Sequence, residues 1–247
     1  ARALQRQPEA HALADALEQG LAAADDHSRL AILLDWQLSQ NRWDETVAVD
    51  KFARLGDLAL DELRNPAKAI EAWTKCLELD PGRTDCSDRL ASLTHAAGML
   101  EDAQAVLSRA IDVGCDDQNT LVDFHVRVAR ILLGYSHDVA SAARHLQAAI
   151  KINPDNYEAL RAFGLLYLES GKSSEEGRAK AASVFVKAGR AALRADALDA
   201  ATLLLRRAPG IDGRSREAFE TLESILVERE MWIQLDEHYV AWLEVAD

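Results

Sequence analysis

The chain has 247 residues, 49% of them hydrophobic and 28% charged, which allows a substantial core and argues against intrinsic disorder. Alanine and leucine dominate, with only 5 prolines and 12 glycines, and few runs alternate Val, Ile or Thr at period two, so helix is favoured over sheet. The formal net charge of −13 disfavours binding to nucleic-acid phosphates or anionic lipid surfaces. A basic protein partner is allowed, although solubility alone is a simpler reason for the charge.

The cysteines and the apolar runs indicate where in the cell the protein is expected, and the first residue indicates how the chain begins. Cys76, Cys86 and Cys115 form no C-x-x-C pair and cannot all pair within one chain, so free thiols in a reducing cytoplasm are the simplest interpretation. No signal peptide is visible, and no apolar run approaches the roughly 20 residues of a membrane span. Because the chain begins at Ala1 without a methionine, we expect a segment excised from a longer protein.

The N-terminal part is predicted to be helical. The run from Pro8 to Ala24 is typical of a helix with proline at an early position, where its missing N–H costs little. The stretch from Leu30 to Thr46 contains an apolar-periodic helix and a short polar break, after which Trp43 opens the next helix. This part therefore predicts helices joined by short connections.

The first clear helical hairpin extends from Phe52 to Pro81. Its first helix carries Gly56, and its second helix carries Ala69, Trp73 and Cys76 at spacings of four and three. Residues at such spacings share one helix face, so they form a single packing stripe. The small residues let the two helices approach each other, and Trp73 fills the gap beside them.

The same arrangement recurs three more times along the chain. The corresponding second-helix stripes are Ala103-Leu107-Ala110, Ala142-Leu146-Ala149 and Ala181-Phe185-Ala188. The small first-helix residue recurs at positions 56, 91, 129 and 164, at intervals of 35, 38 and 35 residues. Independent helices have no reason to keep such a period, so the chain is built from repeats.

These residues resemble the tetratricopeptide repeat family, whose unit of about 34 residues has W-x2-L-G-x2-Y, then A-x3-F and a closing proline. We number the copies one to four by their small first-helix residues at positions 56, 91, 129 and 164. The fourth copy matches the family best in its first helix, with Leu160, Phe163, Gly164 and Tyr167 at the family's spacing, and the second copy matches best in length. Copies one and three carry about one extra residue between their helices, and the fourth carries several around residues 172–178. The resemblance implies an all-α solenoid, a right-handed superhelix of antiparallel helix pairs.

We interpret residues 1–247 as a single solenoid of this type. Residues 49–193 hold the four recognisable units, residues 1–48 form an N-terminal degenerate repeat or cap, and residues 194–247 form a C-terminal one. In the last part, a helix is predicted from Arg194 to Ala208 and is stopped by Pro209-Gly210, and Trp232 opens the final helix. The stretches 171–177 and 209–215 are predicted to be flexible connections. Trp-opened units such as NRWDE are similar to those of long bacterial repeat arrays.

No catalytic, cofactor-binding or metal-binding residues are predicted. The seven histidines are scattered, and no pair lies four apart on one helix. His95 and His125 are the only candidate metal pair, if both face the inner surface of consecutive repeats. Surface or half-buried histidines without a metal are far commoner than such a two-ligand site. Cys76 occupies a small core position of its repeat, whereas Cys86 and Cys115 lie near repeat boundaries without a visible activating partner. The chain is therefore not expected to be an enzyme.

In the tetratricopeptide family the first helix of each pair lines a concave groove in which ligands lie. By position, this resemblance assigns to the groove Asp57, Asp61, Asp85, Asp88, Ser92, His95, Asp123, Arg130, Leu133, Glu158, Arg161, Leu165 and Leu168, with Asp50, Leu60 and Val126 beside them. One end of the groove is then acidic, and the other is apolar with two arginines.

This polarity suggests how a peptide would dock. Apolar side chains would lie near the groove leucines, a carboxylate would meet Arg130 and Arg161, and a basic part would lie beside Asp57, Asp85 and Asp88. Two other interpretations stay open, namely that these groups are merely solvated or that the protein's own terminal helices fill the groove.

The leading function is thus a scaffold that binds a partner protein or peptide, with no nucleic acid, membrane insertion or cofactor expected. One alternative is a regulatory or substrate-recruiting domain of a larger enzyme or signalling protein. Another is self-assembly, in which exposed stripes of one array stack on another.

Overall fold

The computed structural model describes residues 10–40, 43–171, 174–211 and 216–246, and these ranges contain helices and turns but no strand. The helices are α1 (Ala10–Ala23), α2 (His27–Ser39), α3 (Glu45–Asp61), α4 (Pro66–Leu79), α5 (Thr84–Ala96), α6 (Leu100–Val113), α7 (Gln118–Ile131), α8 (Val139–Ile152), α9 (Tyr157–Gly171), α10 (Glu175–Arg194), α11 (Leu198–Ile211), α12 (Arg216–Glu228) and α13 (Trp232–Ala246). A π-helical turn, Leu132–Ser136, follows α7. The fold is an all-α solenoid of antiparallel helix pairs, as predicted. The chain divides into two compact units, unit 1 (Ala1–Cys115) and unit 2 (Asp116–Asp247).

Short polar side chains begin many of these helices. The Asp44 carboxylate accepts the Thr46 N–H before α3, and the Asn65 amide oxygen accepts the Lys68 N–H before α4, where Pro66 takes the first helical position. Asp117 and Ser174 cap α7 and α10 in the same way. Each cap satisfies backbone donors that have no partner within the helix, which fixes where the helix begins.

Unit 1 is built around the close contact of α3 with α4. An ideal Cβ placed on Gly56 would lie 2.4 Å from the Trp73 indole nitrogen, so only glycine lets the ring pack here. Trp73 is fully buried in a cluster that joins α3, α4 and α5, and its neighbours there include Ala69 and Cys76. A second, smaller cluster around Leu34 and Leu55 joins α2 to α3 and α4. The predicted nesting of small residues against Trp73 is confirmed.

Unit 2 has a more continuous core. Phe185 of α10 packs against Gly164 of α9, where an added Cβ would lie 3.1 Å from the ring, and Leu205 of α11 packs against Gly189, where an added Cβ would lie 2.6 Å from the leucine side chain. Phe185 and Leu205 belong to one cluster of buried side chains that runs from α9 through α12 and ends at Leu226. The A-x3-F stripe of the fourth copy therefore performs the packing predicted for it.

The irregular lengths of the repeats are absorbed inside helices. The extra residue of the third copy falls in the π-helical turn after α7, where i to i+5 bonding accommodates one more residue, and His137 ends it with φ of 54°. In the fourth copy, α9 includes Gly171 and the 20-residue α10 includes Gly177, so the flexible connection predicted over 171–177 is wrong at residue 171 and from residue 175 onward. Residues 172–173 of that stretch lie outside the described residues.

The C-terminal helix boundaries differ from the prediction. Residues up to Arg194 belong to α10, and a turn at residues 195–197 separates it from α11. Pro209 does not stop α11, which ends at Ile211, because in the last turn its missing N–H costs a single backbone hydrogen bond. Pro8 and residues 212–215 lie outside the described residues. Within the described part, none of the helices has the length and apolarity required to cross a membrane.

Candidate interaction surfaces

The predicted groove residues of unit 1 lie on α3 and α5, and we call them the first-helix row of unit 1: Asp57, Asp61, Asp85, Asp88, Ser92 and His95. A cation that was not predicted, Arg89, lies among them. Its Nη2 donates to both oxygens of Asp61 at 2.8 and 2.7 Å, and its Nε lies 3.2 Å from an Asp57 oxygen. The guanidinium also lies 5.1 Å from the centre of the Trp73 ring. Two of the predicted acidic residues are thus neutralised from within the chain.

Asp57 also anchors the core tryptophan. Its carboxylate accepts the Trp73 indole N–H at 3.2 Å, which satisfies the one polar group of that buried side chain. Burial raises the pKa of Asp57, and Arg89 and the indole hydrogen bond oppose this rise. Asp57 therefore has a structural role, whatever else the row contacts.

The remaining acidic residues of this row differ in how they are paired. Arg83 donates from Nη2 to Asp85 at 2.7 Å and from Nη1 to Asp50 of α3 at 2.7 Å. The hydrogen bond from Arg83 lowers the pKa of Asp85. Ser92 Oγ lies 3.5 Å from Asp88, and His95 is exposed in the last turn of α5. The end of the groove predicted to be acidic is consequently less negative than its carboxylates suggest.

The first-helix row of unit 2 lies on α7, the π-helical turn and α9: Asp123, Arg130, Leu133, Glu158, Arg161, Leu165 and Leu168. Arg130 and Arg161 converge on one carboxylate, that of Glu158. Arg161 donates to Glu158 Oε2 from Nε at 3.1 Å and from Nη2 at 2.8 Å, and Arg130 Nη2 donates to the same oxygen. The sequence predicted that these arginines meet a carboxylate of a bound peptide, whereas in the structure both already pair with the chain's own Glu158 of α9.

The other members of this row are less polar. Asp123 forms an i,i+4 ion pair with Arg127 at 3.4 Å, and the neighbouring Val126 is 3% exposed and belongs to the core. Leu133, Leu165 and Leu168 are half-buried, and Leu165 packs against the cluster of unit 2. The row thus combines a carboxylate held by two guanidiniums with partly exposed leucines.

Many of these ion pairs join residues about one repeat apart in sequence. Lys68 pairs with Asp35 and Arg83 with Asp50, each across 33 residues, and Arg89 pairs with Asp61 across 28. Opposite charges at corresponding positions of consecutive repeats therefore indicate ion pairs between those repeats, and this pattern is visible in the sequence. It would have identified Arg89, because Arg89 lies in the helix one repeat after its two aspartates.

Unit 1 also contains two open cavities away from this row, formed chiefly by the second helices of its hairpins. The first, of about 390 Å³, lies among α4, α5 and α6. Its lining includes the buried side chains of Leu77, Leu90 and Thr94 and the more exposed ones of Met99 and Val106. The second, of about 350 Å³, includes Trp43, Phe52 and Leu79. Glu78 of α4 borders both. These cavities were not predicted, because they depend on how neighbouring hairpins are spaced.

The charges around these cavities contrast with those of the row. Glu78, Asp102 and Arg109 border the first cavity, and Glu45 and Lys75 border the second together with Glu78. Among the described residues, none of these five side chains has an ion pair or hydrogen bond, whereas Asp57, Asp61 and Asp85 are all paired. The cavity rims therefore offer charges that a partner can still neutralise.

The two histidines considered as a metal pair, His95 and His125, do not come together. His125 is 9% exposed on α7, and its Nδ1 lies 3.0 Å from Nδ1 of His145 on α8. It therefore pairs within its own hairpin, and His95 lies in the other unit. In the part of the chain that the structure describes, no three His, Cys, Asp or Glu side chains come together as metal ligands.

No family model matches the sequence, and no curated protein does. Among solved structures, the chain is similar to a MamA RS-1 double mutant, with 15% identity, 74% of this chain and 95% of that chain covered, and a TM-score of 0.53. It is also similar to MamA 41-end from Desulfovibrio magneticus RS-1, with 14% identity, 74% and 94% coverage, and a TM-score of 0.51. A third structure, that of YrrB, described as a TPR protein with an unusual peptide-binding site, shows 18% identity, 76% and 96% coverage, and a TM-score of 0.46. At these identities the likeness concerns the fold, which is that of tetratricopeptide repeat proteins.

Proposed function

We propose that this protein is an interaction scaffold that binds a partner protein or peptide. The observation that carries the proposal is the Glu158 carboxylate held between Arg130 and Arg161, beside partly exposed leucines. Two guanidiniums around one carboxylate leave a local charge of +1 in a chain whose net charge is −13. A partner carboxylate would bind there by replacing or joining Glu158, because charge-assisted hydrogen bonds to arginine are strong and directional.

The cavities of unit 1 favour a second contact region for the same partner. An apolar side chain would enter each cavity, and a lysine or arginine between them would meet Glu78, which borders both. Burial of the apolar anchors would supply most of the affinity, and the rim charges would set the register. The row of unit 1 is a weaker candidate for the basic part of the partner, because Arg83 and Arg89 already pair with three of its four aspartates.

The test begins with the 247-residue chain as bait and a partner identified by mass spectrometry, whose affinity for variants is then measured. Glu158→Gln should strengthen binding several-fold because it removes the resident competitor, and the double variant Arg130→Gln with Arg161→Gln should weaken it at least tenfold. Arg216→Gln on α12, which removes an exposed cation from an i,i+4 pair, is the matched control and should have no effect.

A second set of variants separates the two regions. Ala105→Trp fills the first cavity from an exposed helix position, and Glu78→Lys reverses the charge between the cavities. Asp112→Lys makes the same kind of charge change on α6 outside the cavities and should be neutral. If the cavity variants and the arginine variants all bind like the wild type while their helical content is unchanged, the proposal is wrong.

A further inference from the structure

Two cysteines of unit 1 lie face to face in its core. Cys76 is in the last turn of α4, and Cys86 is in the first turn of α5, so a connection of four residues separates their helices. Their Sγ atoms are 3.3 Å apart, and the two residues are 0% and 2% exposed. Chain position gave no sign of this pairing, because ten residues separate the two cysteines. The third cysteine, Cys115, is half-buried at the end of unit 1.

We propose that Cys76 and Cys86 are a disulfide-forming pair that reacts with small-molecule disulfides such as oxidised glutathione. A disulfide needs an S–S distance of about 2.05 Å, so the two sulfurs must approach each other by a little over an ångström. Both cysteines flank the short turn at residues 80–83, and the turn contains Gly82. The remaining approach is about an ångström, and the turn is the place where the adjoining helix ends would rotate to close it.

The chemistry favours Cys76 as the attacking thiol. The hydrogen bond from the Cys86 thiol lowers the pKa of Cys76, and the Arg83 guanidinium adds to this effect. The same contact raises the pKa of Cys86, as does its burial. The thiolate is the reactive form of cysteine, and charge on Cys76 is stabilised by its neighbour. The two thiols are thus already differentiated into an attacking and a resolving partner.

The reaction has two exchange steps. The Cys76 thiolate attacks one sulfur of the small disulfide, forms a mixed disulfide and releases one small thiolate. Cys86 then loses its proton and attacks the Cys76 sulfur, which breaks the mixed bond and releases the second small thiolate. In total the protein gives up two electrons and two protons, and one small disulfide becomes two small thiols. Burial makes the first step depend on transient opening of the α4–α5 turn.

The bond would join two consecutive hairpins, α3–α4 and α5–α6, within unit 1. It would also stiffen the first cavity, since Leu77 and Ser87, the chain neighbours of the two cysteines, line its wall. Closing a short loop restrains the unfolded chain, so oxidation should raise the unfolding midpoint of unit 1. In a reducing compartment the pair stays as two thiols, so the redox state of the surroundings would set the rigidity of this cavity.

The test uses the full chain with Cys115→Ser, so that only the pair can react. The protein is incubated with a tenfold excess of oxidised glutathione, denatured, alkylated with iodoacetamide and weighed by intact mass spectrometry. We expect a loss of about two hydrogen atoms, no alkylation, and recovery of two alkylated thiols after reduction. Proteolysis should give one fragment containing both cysteines in cross-linked form.

Cys86→Ser in the same background is the matched variant, and circular dichroism confirms that it is folded. Without the resolving thiol, the reaction should stop with one glutathione attached to Cys76. Three results would overturn the inference. These are two alkylatable thiols after prolonged exposure, a stable glutathione adduct while Cys86 is present, and cross-linking only between two chains.

Discussion

The two units use the same helical hairpin but stabilise it differently. Unit 1 has separate apolar clusters and a buried ion pair between Lys51 and Glu18, whereas its exposed links between hairpins, such as Arg89 to Asp61, have counterparts in unit 2 such as Arg130 to Glu158. Unit 2 has one continuous cluster from α9 to α12, where alanines and glycines let large side chains nest. The comparison teaches that the helical hairpin is the same in both units, whereas the contacts that join one hairpin to the next differ from region to region. Unit 1 should therefore respond most to the loss of its buried charge, and unit 2 to lost packing and to its buried histidines.

The largest effect should come from a buried charge of unit 1. Lys51 is 8% exposed, and its Nζ donates to Glu18 at 2.7 Å and to the Gln37 side-chain oxygen at 3.1 Å. Removing one partner of a buried ion pair costs about 3–5 kcal/mol. Because Arg54 still pairs with Glu18, we expect Lys51→Met to lose about 3 kcal/mol, at the lower end of that range. Denaturant titration measures the loss, and hydrogen exchange should locate it in unit 1.

The control for this variant is Lys68→Met. Lys68 also pairs with a carboxylate from another hairpin, at 2.7 Å from Asp35, but its side chain is 29% exposed and that of Asp35 is 57% exposed. Such pairs contribute about 0–1 kcal/mol. Equal losses in the two variants would show that burial of the Lys51 pair has no special weight.

Local features of the fold could be predicted from the sequence, and contacts between hairpins could not. The Gly56–Trp73 and Gly164–Phe185 contacts follow from spacing inside one hairpin, where the period of the helix determines which residues meet. The approach of Cys76 to Cys86 depends instead on how one hairpin leads into the next. The same holds for the cavities. In the candidate rows, Arg130 and Arg161 were predicted to meet a partner's carboxylate, and their pairing with Glu158 was not predicted, because it joins helices of consecutive repeats.

As the pH is lowered from 7, the stability of unit 2 should fall before that of unit 1. Burial lowers the pKa of His125 and of His238 from the ordinary value of 6.5. The neighbouring His145 lowers the pKa of His125 further. At His238, a hydrogen bond to the Phe219 carbonyl opposes the lowering of the pKa. A histidine with a lowered pKa favours the folded state fully above pH 6.5, and this stability is lost as the pH falls through the folded-state pKa.

Unit 1 lacks such a group among the residues whose pKa is shifted. Its shifted groups are aspartates with ordinary values of 3.8, thiols at 9.0, and Lys68, Arg83 and Arg89 at 10.5 and above. Hydrogen exchange between pH 7 and pH 5 should therefore show unit 2 opening first. His125→Gln and His238→Gln should each flatten the dependence by about 1.4 kcal/mol per unit of pKa difference removed. A slope unchanged in both variants would contradict the assignment.

The smallest effect on stability should come from Arg89→Gln, which keeps a side chain over the Trp73 ring while removing the charge. Arg89 is 37% exposed at its side chain, so we expect a loss of no more than about 1 kcal/mol by denaturant titration. The effect on charge is larger, because Asp57 and Asp61 lose their cation and the row of unit 1 becomes as acidic as the sequence predicted. The variant should therefore bind a lysine-rich peptide more tightly than the wild type at low salt, and added salt should abolish the gain. Lys75→Gln removes a cation from a cavity rim instead, so an equal gain in that variant would mean that net charge alone governs binding and that the row has no role.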